Sequence, residues 1–90
     1  MIFDWDAQKS GSNKTKHGLD FDEASLAWDD ENMVVVQSKY IGERRFLALG
    51  RIYNKIWAVV FTMRNDKIRI ISARHAREEE SDYYEKNKTG

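Results

Sequence analysis

The sequence has no cysteine, which excludes disulfides, thiolate chemistry and cysteine-built zinc sites, as expected of a cytosolic protein. Its longest uninterrupted apolar run is IWAVVF, residues 56–61, far below the roughly 18 to 20 residues that a membrane helix needs. The opening MIFDWD has neither a basic nor an apolar segment of the kind that makes a signal peptide, so a soluble, cytoplasmic protein with no membrane partner is expected. There is no internal repeat and no low-complexity segment. Gly42 and Gly50 form no phosphate-cradling motif. His17 and His75 are far apart in sequence, with no carboxylate at ligand spacing to either, so neither a metal nor another cofactor is expected.

What is present fits one small domain, residues 1–90. A chain of this length buries only about 60–65% of its unfolded surface, which limits it to one modest core. The formal net charge is zero, yet the charges are sorted. Residues 1–38 hold 3 Lys/Arg against 8 Asp/Glu, residues 39–77 hold 10 against 2, and residues 78–90 hold 2 against 5. The middle of the chain is strongly basic, and such sorting can build a positive face suited to phosphate. The alternative is a set of salt bridges between acidic helices and a basic sheet.

IFDW reads as a short first strand. Asp6 is placed to cap a helix over roughly 7–17, closed by Gly18. That helix, AQKSGSNKTKH, has almost no apolar residue, so it either lies loosely on the surface or faces a ligand. A second, amphipathic helix follows, with Asp20 and Glu23 as a capping box and Phe21, Ala24 and Trp28 at helical spacing. From residue 33 the pattern turns to strands, over 33–38, 44–52, 56–64 and 67–74, rich in β-branched and aromatic residues. Short linkers, including Asn65-Asp66, make these four an antiparallel meander. IWAVVFTM is apolar on both alternating sets, as for a central strand covered on both faces. A charged C-terminal helix, frayed beyond Tyr84, completes an α+β fold. Trp5, Trp28, Trp57, Phe46 and Phe61 are read as core.

The stretch IRIISARHAR, residues 68–77, carries Arg69, Arg74, His75 and Arg77. Strand alternation puts Ile68, Ile70 and Ser72 on one face and Arg69, Ile71 and Ala73 on the other, with Arg74 returning to the first. Arg74 then sits at a strand end beside a helix, where a guanidinium can reach a phosphate without losing its support. Ser72 shares its face, and Arg64 or Thr62 from the neighbouring strand and Arg45 from the one beyond are candidates to join it, since sequence leaves the register open.

Taken together, FDWD at 3–6, N..KHGLDF.EA at 13–24, GE.R at 42–45, T.R at 62–64, RIISARHA at 69–76 and a tyrosine following Glu80 resemble the BrnT toxins of bacterial type II toxin–antitoxin systems. The resemblance spans nearly the whole chain. It implies a RelE-like fold, with N-terminal helices packed on a four-stranded antiparallel sheet plus a short first strand, and a C-terminal helix after it. It also implies an endoribonuclease that inhibits translation. The implied partner is a BrnA-like ribbon-helix-helix antitoxin, in a two-to-two complex that reaches operator DNA only through the antitoxin.

RNA carries its own nucleophile, so a metal-independent ribonuclease needs a base for the 2′-hydroxyl, cations for the phosphorane and an acid for the 5′-oxygen. Lys16 and His17 supply a cation and a group that titrates near neutrality. Arg64 and Arg74 are the candidates for transition-state contact, since a guanidinium matches two phosphate oxygens. Arg45, Arg69, Ser72, Thr62 and Glu43 are candidates for substrate binding. Tyr83 or Tyr84 can stack on a base or donate a proton, and spacing from Glu80 favours Tyr84. Each has a plainer reading. His17 can complement the helix dipole, Glu43 can orient Arg45, Tyr84 can anchor the core, and His75 reads as surface. A non-catalytic nucleic-acid-binding or protein-interaction module using the basic face is the competing class.

Overall fold

The computed structural model describes residues 1–38 and 44–88. Phe3–Asp4 forms a two-residue strand, β1, after which Asp6 turns the chain into α1, Ala7–His17. The Asp6 carboxylate accepts from the N–H groups of Gln8 and Lys9 at 2.9 and 3.0 Å. Gly18 ends the helix in the left-handed region, φ 89°, where a side chain would be strained.

The next helix, α2, starts at Phe21 behind the capping box of Asp20 and Glu23, but keeps α geometry only to Ala24. Ser25–Asp29 tightens into a 3-10 turn, where a single longer helix is the expectation from periodicity. The Ser25 hydroxyl donates to the Asp22 carbonyl at 2.6 Å, a local bond that competes with regular helix. Three residues per turn then align Ala24 with Ala27 against the sheet, and both are fully buried.

The remaining elements are β2 (Val34–Gln37), β3 (Phe46–Ile52), β4 (Lys55–Arg64), β5 (Lys67–His75) and α3 (Glu78–Asn87). Strands β2 to β5 form the expected antiparallel meander. Its visible hairpins close on two-residue turns, Tyr53-Asn54 at φ 50° and 68° and Asn65-Asp66 at φ 50° and 65°. Positive φ at both central residues is what matches the twist of flanking strands. The sheet order is β1-β5-β4-β3-β2, and β1 runs parallel to β5, with Phe3 opposite Ile68 and Asp4 opposite Arg69. The sheet is therefore mixed, not antiparallel throughout. A strand can join β5 in parallel here because the whole helical layer and meander lie between the two in sequence, long enough for a crossover. A strand also precedes the helices, and α3 stays helical to Asn87, three residues past Tyr84.

The helical layer and the sheet enclose the main core. Leu19, Phe21, Ala24 and Ala27 pack there on Ala48, Trp57, Val59, Phe61, Ile70 and Ala73. Phe3, Trp28 and Phe61 form an edge-to-face chain with 5.1 Å between successive centroids, a geometry suited to ring quadrupoles. On the opposite face a smaller cluster joins Leu49, Ala58 and Tyr84. Strand β4 is thus covered on both faces, as its sequence suggests.

Candidate functional site

Strand β5 does not keep strict alternation. Val60 stands opposite Ser72 and Phe61 opposite Ile70, which leaves Ile71 as an extra residue in a bulge. A bulge reverses the facing of everything beyond it relative to a regular strand. Ile68, Ile70 and Ala73 all lie in the helix-side core. Arg69, Ser72 and Arg74 come to the other face, opposite Thr62, Val60 and Ala58. The alternation reading that set Ser72 and Arg74 with Ile68 and Ile70, and Arg69 apart from them, is corrected by this one residue.

The polar helix α1 is docked, not loose. Its inner stripe is Ser10 and Asn13, both buried. The Asn13 amide donates to the Ala73 carbonyl at 2.9 Å and accepts from the Ala73 N–H at 3.2 Å. It completes the edge of β5 as a neighbouring strand would. A further bond to the Leu19 carbonyl, 2.7 Å, and one from the Phe21 N–H to the Ser10 hydroxyl, 2.9 Å, hold the turn after α1. Between α1 and β5 this leaves a cleft of ≈ 210 Å³ lined by Lys9, Ser12, Lys16, His17, Ile71 and Ser72 among others. Lys16, His17 and Ser72 are therefore brought together.

Two of the arginines are held by carboxylates. Arg69 Nη1 lies 2.7 Å from Asp4 Oδ2. Arg74 makes a two-pronged pair with Glu80, at 2.7 and 3.0 Å, and also donates to the His75 carbonyl at 3.3 Å. The hydrogen bonds from Arg74 hold the Glu80 carboxyl below its usual range, and Glu80 in turn raises Arg74. Such pairing fixes a flexible side chain in one orientation. Arg64 is not brought to Arg74. It sits opposite Lys67 at the Asn65-Asp66 turn, whereas Arg74 lies opposite Ala58, about 20 Å along the strand at ordinary rise. Arg45 lies at the β2–β3 end of the sheet, its carbonyl accepting from the Ser38 N–H at 2.9 Å. Glu43 lies outside the described residues.

A family model described as ribonuclease toxin, BrnT, of type II toxin-antitoxin system matches residues 5–80. The chain belongs to that family. Comparison with curated proteins returns no match. The matched span contains α1, the bulged strand and Glu80, so the basic cleft lies within BrnT sequence.

Two expected site residues sit deeper in this BrnT chain than their sequence context conveys. Thr62 is 3% exposed and donates to the Arg44 carbonyl at 2.6 Å, which ties β4 to the start of β3. Tyr84 is 1% exposed, and its hydroxyl donates to Asp30 Oδ2 at 2.7 Å. Burial and that bond raise the Tyr84 hydroxyl above its usual value. Burial also raises Asp30, but the N–H of Arg51, the Tyr84 hydroxyl and the N–H of Asn32 outweigh it and leave the carboxyl low. The geometry is that of the core anchor, the plainer reading of Tyr84. Sequence reasoning missed Ser10, Asn13, Asp30 and Arg51. For the first two the signal was present, as polar residues at positions three apart on a helix with no apolar stripe. Two of the partners of Asp30, Arg51 and Tyr84, are 21 and 54 residues away, and nothing local announces them.

Proposed function

We propose that this BrnT toxin has a RelE-like fold and is a metal-independent endoribonuclease whose scissile phosphate binds at the bulge of β5. The observation that carries the reading is the convergence on Ser72 of α1 and the bulged strand. The C-terminal turn of α1 brings Lys16 and His17 to the cleft that Ser72 lines, while Arg69 and Arg74 share the Ser72 face of the strand. His17 accepts the proton of the 2′-hydroxyl as its oxygen attacks phosphorus. Lys16 and the two guanidiniums stabilise the phosphorane, with Arg69 and Arg74 pre-set by Asp4 and Glu80. The P–O5′ bond breaks and the 5′-oxygen takes up a proton, giving a 2′,3′-cyclic phosphate and a 5′-hydroxyl. Arg64 and Arg45, on or beside the remaining sheet face, extend the contact along the RNA. Tyr84 supports this face from beneath α3.

Cleaving cellular RNA accounts for translation inhibition, with a cytoplasmic site of action. The partner is a BrnA-like ribbon-helix-helix antitoxin in a two-to-two complex, which binds operator DNA through the antitoxin. The test is to incubate the protein with RNA in EDTA and map the product ends. Cyclic-phosphate ends that disappear in Lys16→Ala and Arg74→Ala, with unchanged circular dichroism, support the reading. Uncleaved RNA, bound with a steep salt slope, would assign the chain to the non-catalytic binding class instead.

A further inference from the structure

His17 lines two clefts, not one. The second cleft, of ≈ 290 Å³, has Gly18, Tyr53, Lys55, Trp57 and His75 among its walls. Its walls combine aromatic side chains and one lysine with the aliphatic Leu19 and Ile52. Trp57 and His75 are opposite one another on β4 and β5 and stack with centroids 4.0 Å apart at 27°. Trp57 is 5% exposed and forms the floor, and its indole Nε1 is buried with no hydrogen-bond partner among the described residues. His75 is exposed above it. Buried donors without partners are few in native proteins and call for an explanation.

Tyr53 supplies an independent observation. It occupies the first central position of the β3–β4 turn at φ 50°, where Asn, Asp or Gly is favoured and a bulky residue is strained. It is nevertheless 65% exposed, so burial does not repay the strain. It lines the same cleft as Lys55, Trp57 and His75. An exposed aromatic kept in an unfavourable backbone region, in one cleft with a stacked imidazole and a lysine, is a feature of a ligand site.

We infer that this second cleft is a nucleobase subsite, in which the base flanking the cleaved bond stacks on His75 and Tyr53 while Lys55 contacts its phosphate. The inference rests on the ribonuclease reading for its biological meaning, since His17 is the hinge between the two clefts. It gives the enzyme a means of choosing among RNA positions. A volume of ≈ 290 Å³ is at the small end of ligand sites and suits a single nucleoside. Base stacking on an aromatic side chain is worth about 5-fold or more in affinity.

The test uses the full chain and the variants Tyr53→Asn and His75→Ala, with folding checked by thermal melts. One arm measures cleavage of RNA with randomised flanking nucleotides. A second titrates 2′-O-methyl RNA carrying 2-aminopurine, which cannot be cleaved and whose fluorescence is quenched on stacking. The wild type is expected to prefer certain bases at one flanking position and to quench the probe. Both variants are expected to lose the preference, raise KM about 5-fold or more and bind the probe correspondingly more weakly, with kcat changed far less. Tyr53→Asn is expected to melt no lower than wild type, because Asn suits the turn. A purely structural role for Tyr53 would not combine unimpaired stability with impaired base choice. Variants that bind and discriminate like wild type overturn the subsite and leave the ribonuclease reading standing. Quenching that the variants abolish, in a protein that cleaves nothing, keeps the subsite and overturns the ribonuclease. A wild type that neither cleaves nor quenches overturns both.

Discussion

Replacing Asn13 should damage the protein more than any exposed change on α1. Its amide makes three bonds, to the Leu19 carbonyl, the Ala73 carbonyl and the Ala73 N–H, and the residue is only 7% exposed. Removing it leaves those three backbone groups buried without partners, at roughly 1–3 kcal/mol each before relaxation. Water entering the space left by Asn13→Ala recovers part of this, so about 3–4 kcal/mol is the expected net loss. Domains of this size lose about 4–8 °C of melting temperature per kcal/mol. The midpoint should therefore fall by at least about 12 °C, a large part of a total stability of about 5–15 kcal/mol. Asn13→Leu separates the causes, because leucine fills nearly the same volume without the polar bonds. If hydrogen bonding to the β5 edge is what matters, both variants are similarly destabilised in urea and thermal unfolding followed by circular dichroism. Recovery of most of the stability by Asn13→Leu, or a fall under about 3 °C in Asn13→Ala, would refute the reasoning.

Three other outcomes follow from particular contacts. A Cβ added at Gly50 would lie 2.9 Å from Ala27 Cβ and 3.1 Å from the Ala27 carbonyl oxygen, so Gly50→Ala should cost about 1–3 kcal/mol in urea unfolding. Tyr84→Phe removes one donor from Asp30 and should cost about 1–2 kcal/mol while leaving RNA cleavage within a few-fold; a hundredfold fall in kcat at unchanged stability would return Tyr84 to the reacting groups. Glu80 titrates below its ordinary 4.5 in the folded protein, chiefly through its hydrogen bonds with Arg74. A depressed carboxyl contributes stability that is fully present above its unfolded value and is lost as pH falls through the folded one. Glu80→Gln should accordingly lose about 1–2 kcal/mol at pH 7, and the gap from wild type should close below about pH 4.5, measured as urea midpoints against pH.

How much was legible in the sequence depends on how local each cause is. Asp6, Gly18 and the Asp20–Glu23 box act within a few residues, and all three cap as their positions suggest. The meander was readable because β-branched runs and two-residue turns are also local. The parallel pairing of β1 was not, since Phe3 meets Ile68 only after the whole domain has formed. The bulge at Ile71 was hidden for a sharper reason. IRIIS offers apolar residues on both alternating sets, so hydrophobic pattern alone cannot reveal where the register slips. The slip decided which face Arg69 joined, and thereby the make-up of the basic site.

Charge sorting suggested two exclusive outcomes, salt bridges or a face for phosphate, and the structure shows why the choice was too narrow. Asp4 and Glu80 do pair with Arg69 and Arg74, so part of the acidic excess at either end neutralises the middle. Only Nη1 of Arg69 lies against Asp4 in that ion pair, however, and a guanidinium has five N–H donors. A carboxylate that takes some of them removes rotamer freedom without exhausting the donors, which lowers the entropy lost when an anion binds. Lys16 carries no such restraint in the ion pairs described, and lies 51 residues away in sequence at least from the nearest residue of the bulged strand. In the proposed site, geometry comes from guanidiniums oriented on the strand by carboxylates and further charge from the Lys16 ammonium on the helix. Removal of Asp4 or Glu80 should on this view weaken RNA cleavage through orientation, even though it makes the surface more positive.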